Sequence, residues 1–191
     1  LRFCASFLLS NINDCDISLA TQVKRDEVIK NIDPKSINAY VLQELTTLQN
    51  DVKQAYFNYK FKTVNSLLYN FCNDTLSSFY CTAVKDRLYC DALASERRQE
   101  TQYTLWTIID VLCRLLAPVL PHTAQEAFAS LYGPDHVSIH LADEFNVSVS
   151  AAEEWTHVLA SRERVLKVLE EAKKDGIENS LDAGVILGDP D

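Results

Sequence analysis

Apolar side chains recur at steps of three and four residues along most of this chain, and this period constrains its fold more than any other feature. In one long stretch the period is carried by Ile37, Tyr40, Val41, Leu45, Leu48, Val52, Ala55, Tyr56 and Tyr59. Such spacing places apolar side chains on one face of an α-helix. Asp33 followed by Pro34 is a typical helix start, because aspartate caps the first turn and proline fits the first helical position. The sequence therefore predicts a long amphipathic helix from about Asp33.

The same period predicts further helices downstream. One apolar face is formed by Val64, Leu67, Leu68, Phe71, Thr75, Leu76, Phe79, Ala83 and Val84, and the next by Leu105, Ile108, Ile109, Leu112 and Leu115. Ser95 is suited to open the later of these helices. Pro118 and Pro121 end it, because proline lacks the amide hydrogen and crowds the preceding turn. A short helix over 123–131 follows and ends at Gly133.

The C-terminal part mixes two periods. Val137, Ile139 and Leu141 alternate with polar residues, which predicts a short extended stretch. The residues 150–153 form a capping box, so a long helix is expected from there to about Lys174. Its buried face is expected to contain Trp155, Leu159, Leu166, Leu169 and Ala172. The start of a strand is then predicted from the alternation of Leu181, Ala183, Val185 and Leu187.

Helices with segregated apolar faces and short links predict an all-α fold, an antiparallel helix bundle followed by a small α+β piece. The expected organisation is the end of a preceding helix over 1–20, the bundle over 21–148, and a long helix with the start of a truncated α+β subdomain over 149–191. With 191 residues, 47% of them hydrophobic, the chain can bury a core. The absence of methionine and the apolar opening at Leu1 indicate an internal piece of a longer protein.

Catalytic and metal chemistry finds little support in the residues. The four glycines form no phosphate-binding loop, and no nucleophile can be paired with a base. His136 and His140, near Asp135, Asp143 and Glu144, would share a face in an extended stretch, but no third ligand follows at a fixed offset. The six cysteines include no Cys-x-x-Cys pair, which favours reduced thiols over zinc or disulfides. We expect no catalytic residue, no metal and no cofactor in this chain.

The segment 78–89 combines basic and aromatic residues where a helix is expected to end. Lys85 and Arg87 are favourable at a helix C-terminus, so a purely structural role is the simpler interpretation from the residues alone. In the functional interpretation they bind phosphates while an aromatic ring stacks on an unpaired base. The formal net charge of −9 argues against a nucleic-acid partner, although phosphate binding depends on local basic clusters rather than on the sum.

Several strings match one known family in order. The F-Y-x-x-x-x-K-D-R-L-Y string over 79–89 resembles the hallmark of the anticodon-binding helical domain in bacterial and organellar isoleucyl-tRNA synthetases. The residues 7–12 resemble the F-L-L-x-N-L segment at the start of that domain, and 117–126 resemble the A-P-x-x-P-x-x-x-x-E element shared with the valyl and leucyl enzymes. Further matches lie at 137–141, 162–174 and 180–183. The chain departs from the family at Ser6, where a basic residue is usual, at Phe128, where tryptophan is usual, and in a shorter turn over 176–179.

This resemblance implies a non-catalytic part of a class I aminoacyl-tRNA synthetase. The parent enzyme would use ATP and Mg²⁺ to charge tRNA-Ile with isoleucine, and its nucleotide-binding motifs would lie outside this chain. The domain's partners would be the anticodon stem and loop of tRNA-Ile and the catalytic domain of the same chain. A monomer without membrane association is expected, in the cytoplasm or in an organellar matrix.

The contact residues implied by the resemblance are Lys85, Arg87, Tyr89, Arg97 and Arg98. They would lie at one end of the bundle and concentrate positive charge there if the helices on either side are antiparallel neighbours. A second candidate stripe consists of Arg162, Arg164, Lys167, Lys173 and Lys174. A solvated helix face is the simpler interpretation of that stripe, and Trp155 is expected to be core rather than a stacking platform.

Two alternatives stay open. The first is the equivalent domain of a valyl or leucyl enzyme, against which the K-D-R-L-Y string argues. The second is a helical protein-interaction module, which acidic charge and amphipathic helices would suit. An interaction module should expose an apolar groove, whereas a tRNA-binding domain should have a basic end on an acidic body.

Overall fold

The computed structural model describes residues 2–15, 18–133, 135–143, 145–174, 182–186 and 188. All regular structure in these residues is helical, which confirms the all-α fold class. The chain divides into two compact units, Leu1–Ala151 and Ala152–Asp191. The first unit contains α1 (Arg2–Ser10), α2 (Leu19–Lys30), α3 (Ile37–Phe57), α4 (Phe61–Asn70), a π-helical segment (Phe71–Tyr80), α5 (Cys81–Ala83), α6 (Lys85–Tyr89), α7 (Glu96–Leu116) and α8 (Pro121–Tyr132). The second unit contains α9 (Glu154–Lys174).

The start of α3 differs from the prediction by about one turn. Asp33 does not cap the helix, because its carboxylate accepts the Lys35 amide at 2.9 Å and closes a turn ahead of the helix. Ser36 has extended backbone angles, and its hydroxyl accepts the Ala39 amide at 3.0 Å. Ser36 is therefore the N-cap, and the preceding Asp33–Ser36 turn sets the direction from which the chain enters α3.

The second predicted helix is not continuous. It consists of α4, a π-helical segment, α5 and α6, with Val84 between the last two. Within the π-helical segment, the Ser78 hydroxyl donates to the Asn73 carbonyl, five residues back, at 2.8 Å. The buried residues of the segment are Phe71, Cys72, Leu76 and Tyr80, at steps of four and five, which fits the wider turn of a helix with i→i+5 hydrogen bonds. The predicted helix had the α-helical period throughout, so the π-helical segment is a difference from the prediction.

The helix α7 is the centre of the bundle. It contacts α1, α2, α3, α6 and α8, and every residue from Thr101 to Cys113 is buried. The buried hydroxyls of Thr101, Thr104 and Thr107 each donate to the carbonyl four residues earlier. Polar side chains can therefore lie in the core because they are hydrogen-bonded there. The predicted start at Ser95 is confirmed, whereas the single apolar face expected for this helix understates its burial.

Residues after α8 follow the bundle surface without forming a strand. The extended stretch predicted over 137–141 is wrong, because the Leu141 amide donates to the Ser138 carbonyl at 2.9 Å in a turn. Further along, side chains of α3 hold the backbone of 145–151. The Gln49 amide donates to the Phe145 carbonyl at 2.6 Å, and Gln43 accepts the Ala151 amide at 2.6 Å.

In the second unit, the long helix is present, but it begins at Glu154 rather than at the predicted capping box over 150–153, and its side chains are not buried as predicted. No residue of α9 is buried, and Trp155 is half-buried. The expectation that this helix covers a core is therefore wrong, because the described part of 152–191 supplies no second regular element against its apolar stripe. Ala183 and Val185 have no strand conformation. Leu181 and Leu187, the other residues of the predicted strand, lie outside the described residues.

Candidate nucleic-acid interface

The predicted site residues of α6 and α7 come together at one end of the first unit. The two helices contact each other, and Lys85, Tyr89 and Arg97 are exposed there while Arg87 is half-buried. The pKa of the Asp91 carboxyl, in the link between these helices, is lowered chiefly by the hydrogen bond from Arg97 and in addition by the charge of Arg87. Residues 85, 87, 89 and 97 thus form one surface, which we call the α6–α7 surface.

A buried hydrogen-bond chain fixes the base of the α6–α7 surface. The Tyr80 hydroxyl donates to the side-chain Oδ1 of Asn38 at 2.8 Å, and the side-chain Nδ2 of Asn38 donates to the Glu100 carboxylate at 2.7 Å. Burial raises the pKa of Tyr80, so the phenol remains a donor at neutral pH. The chain joins the last π-helical residue to the first turns of α3 and α7. The helix that carries Lys85 and Arg87 therefore begins close to a rigid junction.

Arg98 is placed differently from the other predicted site residues. Its guanidinium pairs with Asp14 at 2.7 Å, and Gln102 donates to the same carboxylate at 2.6 Å and to the Asn11 carbonyl at 3.1 Å. The Arg98 side chain is only 12% exposed. Arg98 thus links the residues after α1 to the start of α7, and the Asp14 carboxylate balances its charge.

The α6–α7 surface is less basic than the sequence suggested. Arg97 pairs with Asp91 at 2.7 Å, and Asp86 lies between the two basic residues of α6. Within the part of the chain that the structure describes, Lys85 and Arg87 form no ion pair. Two cations and the exposed ring of Tyr89 are therefore what this surface presents to a phosphate backbone or an unpaired base.

The second candidate stripe has the character of a solvated helix face. Lys167, Lys173 and Lys174 are exposed on α9, and Arg164 donates to Ser161 at 3.3 Å. Acidic residues at 163, 170 and 171 alternate with these cations along the helix. Interleaved charges of this kind suit a helix in water better than a phosphate-binding track.

A group of exposed aromatic residues forms a surface that was not predicted from the sequence. Phe57, Tyr59, Phe61 and Tyr69 lie at and after the turn that joins α3 to α4. The helical period had assigned Tyr59 to a buried face, but its side chain is 81% exposed. An available signal was the composition, since no aspartate or glutamate occurs from Val52 to Asn73 in a strongly acidic chain.

The described ranges contain no metal-binding cluster. They contain no group of three or more histidine, cysteine or acidic side chains placed to hold a metal ion. All six cysteines are free thiols. His136 stacks against Tyr132 with ring centroids 4.9 Å apart, a packing contact on the bundle surface. None of the described helices has the length and apolar character that crossing a membrane requires.

A helical bundle with a buried central helix and, at one end, two cations that form no ion pair within the described residues has the features of a binding domain. Residues 38–187 match the family model described as the anticodon-binding domain of tRNA ligase, and the chain belongs to this family. The resemblance found in the sequence motifs is thereby confirmed.

Curated relatives are similar along nearly the whole chain. It is 36% identical to an isoleucine–tRNA ligase of Petrotoga mobilis over 98% of its length, and 34% identical to that of Syntrophotalea carbinolica over 100%. A third relative, the isoleucine–tRNA ligase of Brevibacillus brevis, is 35% identical over 79% of the chain. The chain spans 17% to 20% of the length of these relatives.

Proposed function

We propose that this chain is the domain of an isoleucine–tRNA ligase that binds the anticodon stem and loop of tRNA-Ile. The proposal rests on the family match over 38–187 together with the similarity to isoleucine–tRNA ligases. The parent enzyme would charge tRNA-Ile with isoleucine using ATP and Mg²⁺, with the catalytic groups elsewhere in its chain. This domain would be joined to the catalytic domain and act in a monomeric, cytoplasmic enzyme, or in an organellar matrix.

The proposed contact residues are Lys85, Arg87 and Tyr89, with Arg97 beside them. Lys85 and Arg87 would bind phosphates, because within the described residues no carboxylate pairs with them. Tyr89 is 64% exposed and would offer a face to an unpaired base. Arg97 would exchange its exposed partner Asp91 for a phosphate. Arg98 would contribute by holding α7 in place, since its side chain is engaged with Asp14.

Charge reversal at α6 tests the proposal. Lys85→Glu and Arg87→Glu should each weaken binding of a fluorescein-labelled tRNA-Ile anticodon stem-loop by roughly tenfold, the scale of one lost charge-assisted hydrogen bond. Each should also flatten the dependence of log K on log salt by about one unit, because one phosphate contact releases about one counterion. Fluorescence anisotropy titrations at several salt concentrations measure both quantities.

The matched control is Lys24→Glu. Lys24 is exposed on α2, and its substitution changes the net charge by the same amount as the α6 variants do. This control therefore separates a local contact from a general charge effect. Circular dichroism should show the same helical content in all three variants. If Lys24→Glu weakens binding as much as the α6 variants do, or if none of them does, the α6–α7 surface is not the contact. A stem-loop with a different anticodon should bind more weakly if the domain reads tRNA-Ile.

A further inference from the structure

A second surface of the first unit has the chemistry of an RNA contact. It consists of Phe57, Tyr59, Lys60, Phe61, Lys62 and Tyr69, and we call it the α3–α4 surface. The side chains of Phe57 and Tyr59 are 80% and 81% exposed, and those of Phe61 and Tyr69 are also largely in solvent. Four exposed aromatic side chains in thirteen residues mark this surface out, because large aromatic residues are normally buried to a much greater extent.

The backbone of the turn holds these rings in a defined arrangement. The Lys60 amide donates to the Ala55 carbonyl at 2.8 Å, which closes the end of α3. Tyr59 has a φ of 55°, a left-handed conformation that usually falls to glycine or asparagine. Its ring lies edge-on to Phe61, with centroids 6.3 Å apart. A tyrosine kept in a strained turn with its ring in solvent suggests that the ring has a use there.

The turn is also anchored to the core. The Tyr56 hydroxyl donates to the Leu115 carbonyl at 2.9 Å, and the Tyr56 ring packs edge-on against Phe61 at 6.4 Å. The exposed rings are therefore attached to the end of the central helix α7 rather than to a free loop. Rings that are already ordered lose little conformational entropy when a base stacks on them.

The local charge is opposite to that of the whole chain. Lys53, Lys60 and Lys62 are the charged residues from Val52 to Asn73, whereas the net charge of the chain is −9. Leu116, Val119 and Leu120, which line one cavity together with residues of α4, lie in a stretch (115–120) that also contains no aspartate or glutamate. A polyanion would meet attraction at this surface and repulsion over much of the rest of the molecule.

An open cavity adjoins the α3–α4 surface. Its volume is about 520 Å³, within the range of cavities that hold small organic groups. Leu116, Val119 and Leu120 supply apolar walls, while Asn65 and Asn70 supply amides and Tyr69 a ring. Apolar walls with a few amide groups suit a planar base that carries donors and acceptors on its edge.

We propose that the α3–α4 surface binds unpaired bases of an RNA strand by stacking them on Phe57 and Tyr59, with Lys60 and Lys62 on the phosphates. This inference rests on the proposed function and adds a contact separate from the α6–α7 surface. The two lie at opposite ends of α3, whose 21 residues span about 30 Å. RNA is favoured over a protein partner because lysine is depleted in protein–protein interfaces, while lysine and aromatic residues together are typical of single-strand binding.

The test uses the 191-residue chain and a fluorescein-labelled RNA stem-loop with 5-iodouridine in the loop. Phe57→Ala should weaken stem-loop binding by roughly 5- to 150-fold, the range for one lost base–aromatic stack. Phe57→Leu should weaken stem-loop binding similarly, because leucine keeps apolar area but has no ring. Phe57→Tyr keeps a ring and should bind like the unsubstituted chain. A fully paired RNA duplex should bind all of these proteins alike. The control is Val23→Ala, which removes exposed apolar area from α2.

Photocrosslinking locates the contact independently of the variants. Irradiation should join the loop iodouridines to peptides containing residues 57–69. Crosslinks found only outside these residues, or full binding by Phe57→Ala or Phe57→Leu, would overturn the inference. In that case loss of binding by Arg87→Glu would still support the proposed function. A chain that binds no stem-loop at all would overturn both.

Discussion

At the scale of single residues, the most consequential interaction is a buried ion pair that joins distant parts of the chain. Arg25 and Asp110 are both almost completely buried, and the Arg25 Nη1 lies 3.6 Å from an Asp110 oxygen. The guanidinium also contacts two aromatic rings, 4.6 Å from the Trp106 centroid and 4.9 Å from that of Phe145. Asp110 additionally accepts from Tyr132 at 2.7 Å. This cluster holds α2, α7 and α8 together.

Removing the buried partner should cost much more than removing an exposed one. Asp110→Asn leaves the buried Arg25 without its buried counter-charge, and we expect the free energy of unfolding to fall by about 3–5 kcal/mol. Asp26 also pairs with Arg25, at 2.7 Å, but its side chain is 55% exposed. Asp26→Asn should therefore cost less than about 1 kcal/mol. Urea denaturation of both variants measures the difference, and equal losses would show that burial does not decide the strength of this cluster.

At the scale of elements, helix boundaries depend on which side chain reaches the free amides. Asp33, Ser36 and Ser95 are all residue types that favour helix starts. The first closes a turn with Lys35, the second caps α3 by accepting the Ala39 amide, and the third occupies the N-cap position of α7 without a side-chain cap bond. Local preference indicates where a helix can begin, whereas the path of the preceding chain selects among nearby candidates.

The cap of α3 gives a direct test at this scale. Ser36→Ala removes the acceptor for the Ala39 amide, and the free energy of unfolding should fall by about 1 kcal/mol. Ser36→Gly should lower the free energy of unfolding by only about 0.2–0.4 kcal/mol, because glycine is itself a tolerated N-cap. Thermal and urea unfolding of the two variants are the measurements. Ser95→Ala is the comparison, and it should lose less than Ser36→Ala. A larger loss at Ser95 would contradict the assignment of the capping hydrogen bond.

At the scale of the whole molecule, the core contains ionisable groups that must stay neutral. Burial raises the pKa of Cys81 and of Cys113 to about 12, from an ordinary value of 9.0. Burial also raises the pKa of Tyr132 to about 12. In the unfolded chain these groups lose their protons at lower pH than in the folded protein. The stability that they contribute is therefore complete below pH 9 and is lost as the pH rises towards 12.

Alkaline unfolding should report this property of the core. The free energy of unfolding should fall as the pH rises from 9 to 12. Each buried thiol should contribute at most about 1.4 kcal/mol per pH unit to this fall. Cys113→Ala should make the slope shallower by about that amount, even though the cavity lowers stability at neutral pH. Cys90→Ala, which removes an exposed thiol, is the control for the loss of a cysteine side chain as such. Urea titrations under reducing conditions measure the slopes, and parallel curves for Cys113→Ala and the parent would refute the explanation.

Much of the secondary structure, and the family, could be predicted from the sequence, because both are indicated by residues that lie close together along the chain. The three- and four-residue period located the long helices, and Ser95 and Gly133 marked boundaries that the structure contains. The F-Y-x-x-x-x-K-D-R-L-Y string indicated the family that the comparison confirmed. These features are readable because periodicity, capping and motif spacing involve residues within a few positions of one another.

Tertiary structure decided which residues are buried and which charges are matched. The pairs Arg25–Asp110 and Arg98–Asp14 could not be predicted from the sequence, because the partners are far apart along the chain and meet only when the helices pack. For the same reason the apolar stripe of α9 was expected to be buried and Tyr59 was assigned to the core. A helical period shows which side chains share a face, but only the neighbouring elements determine whether that face meets a partner or water.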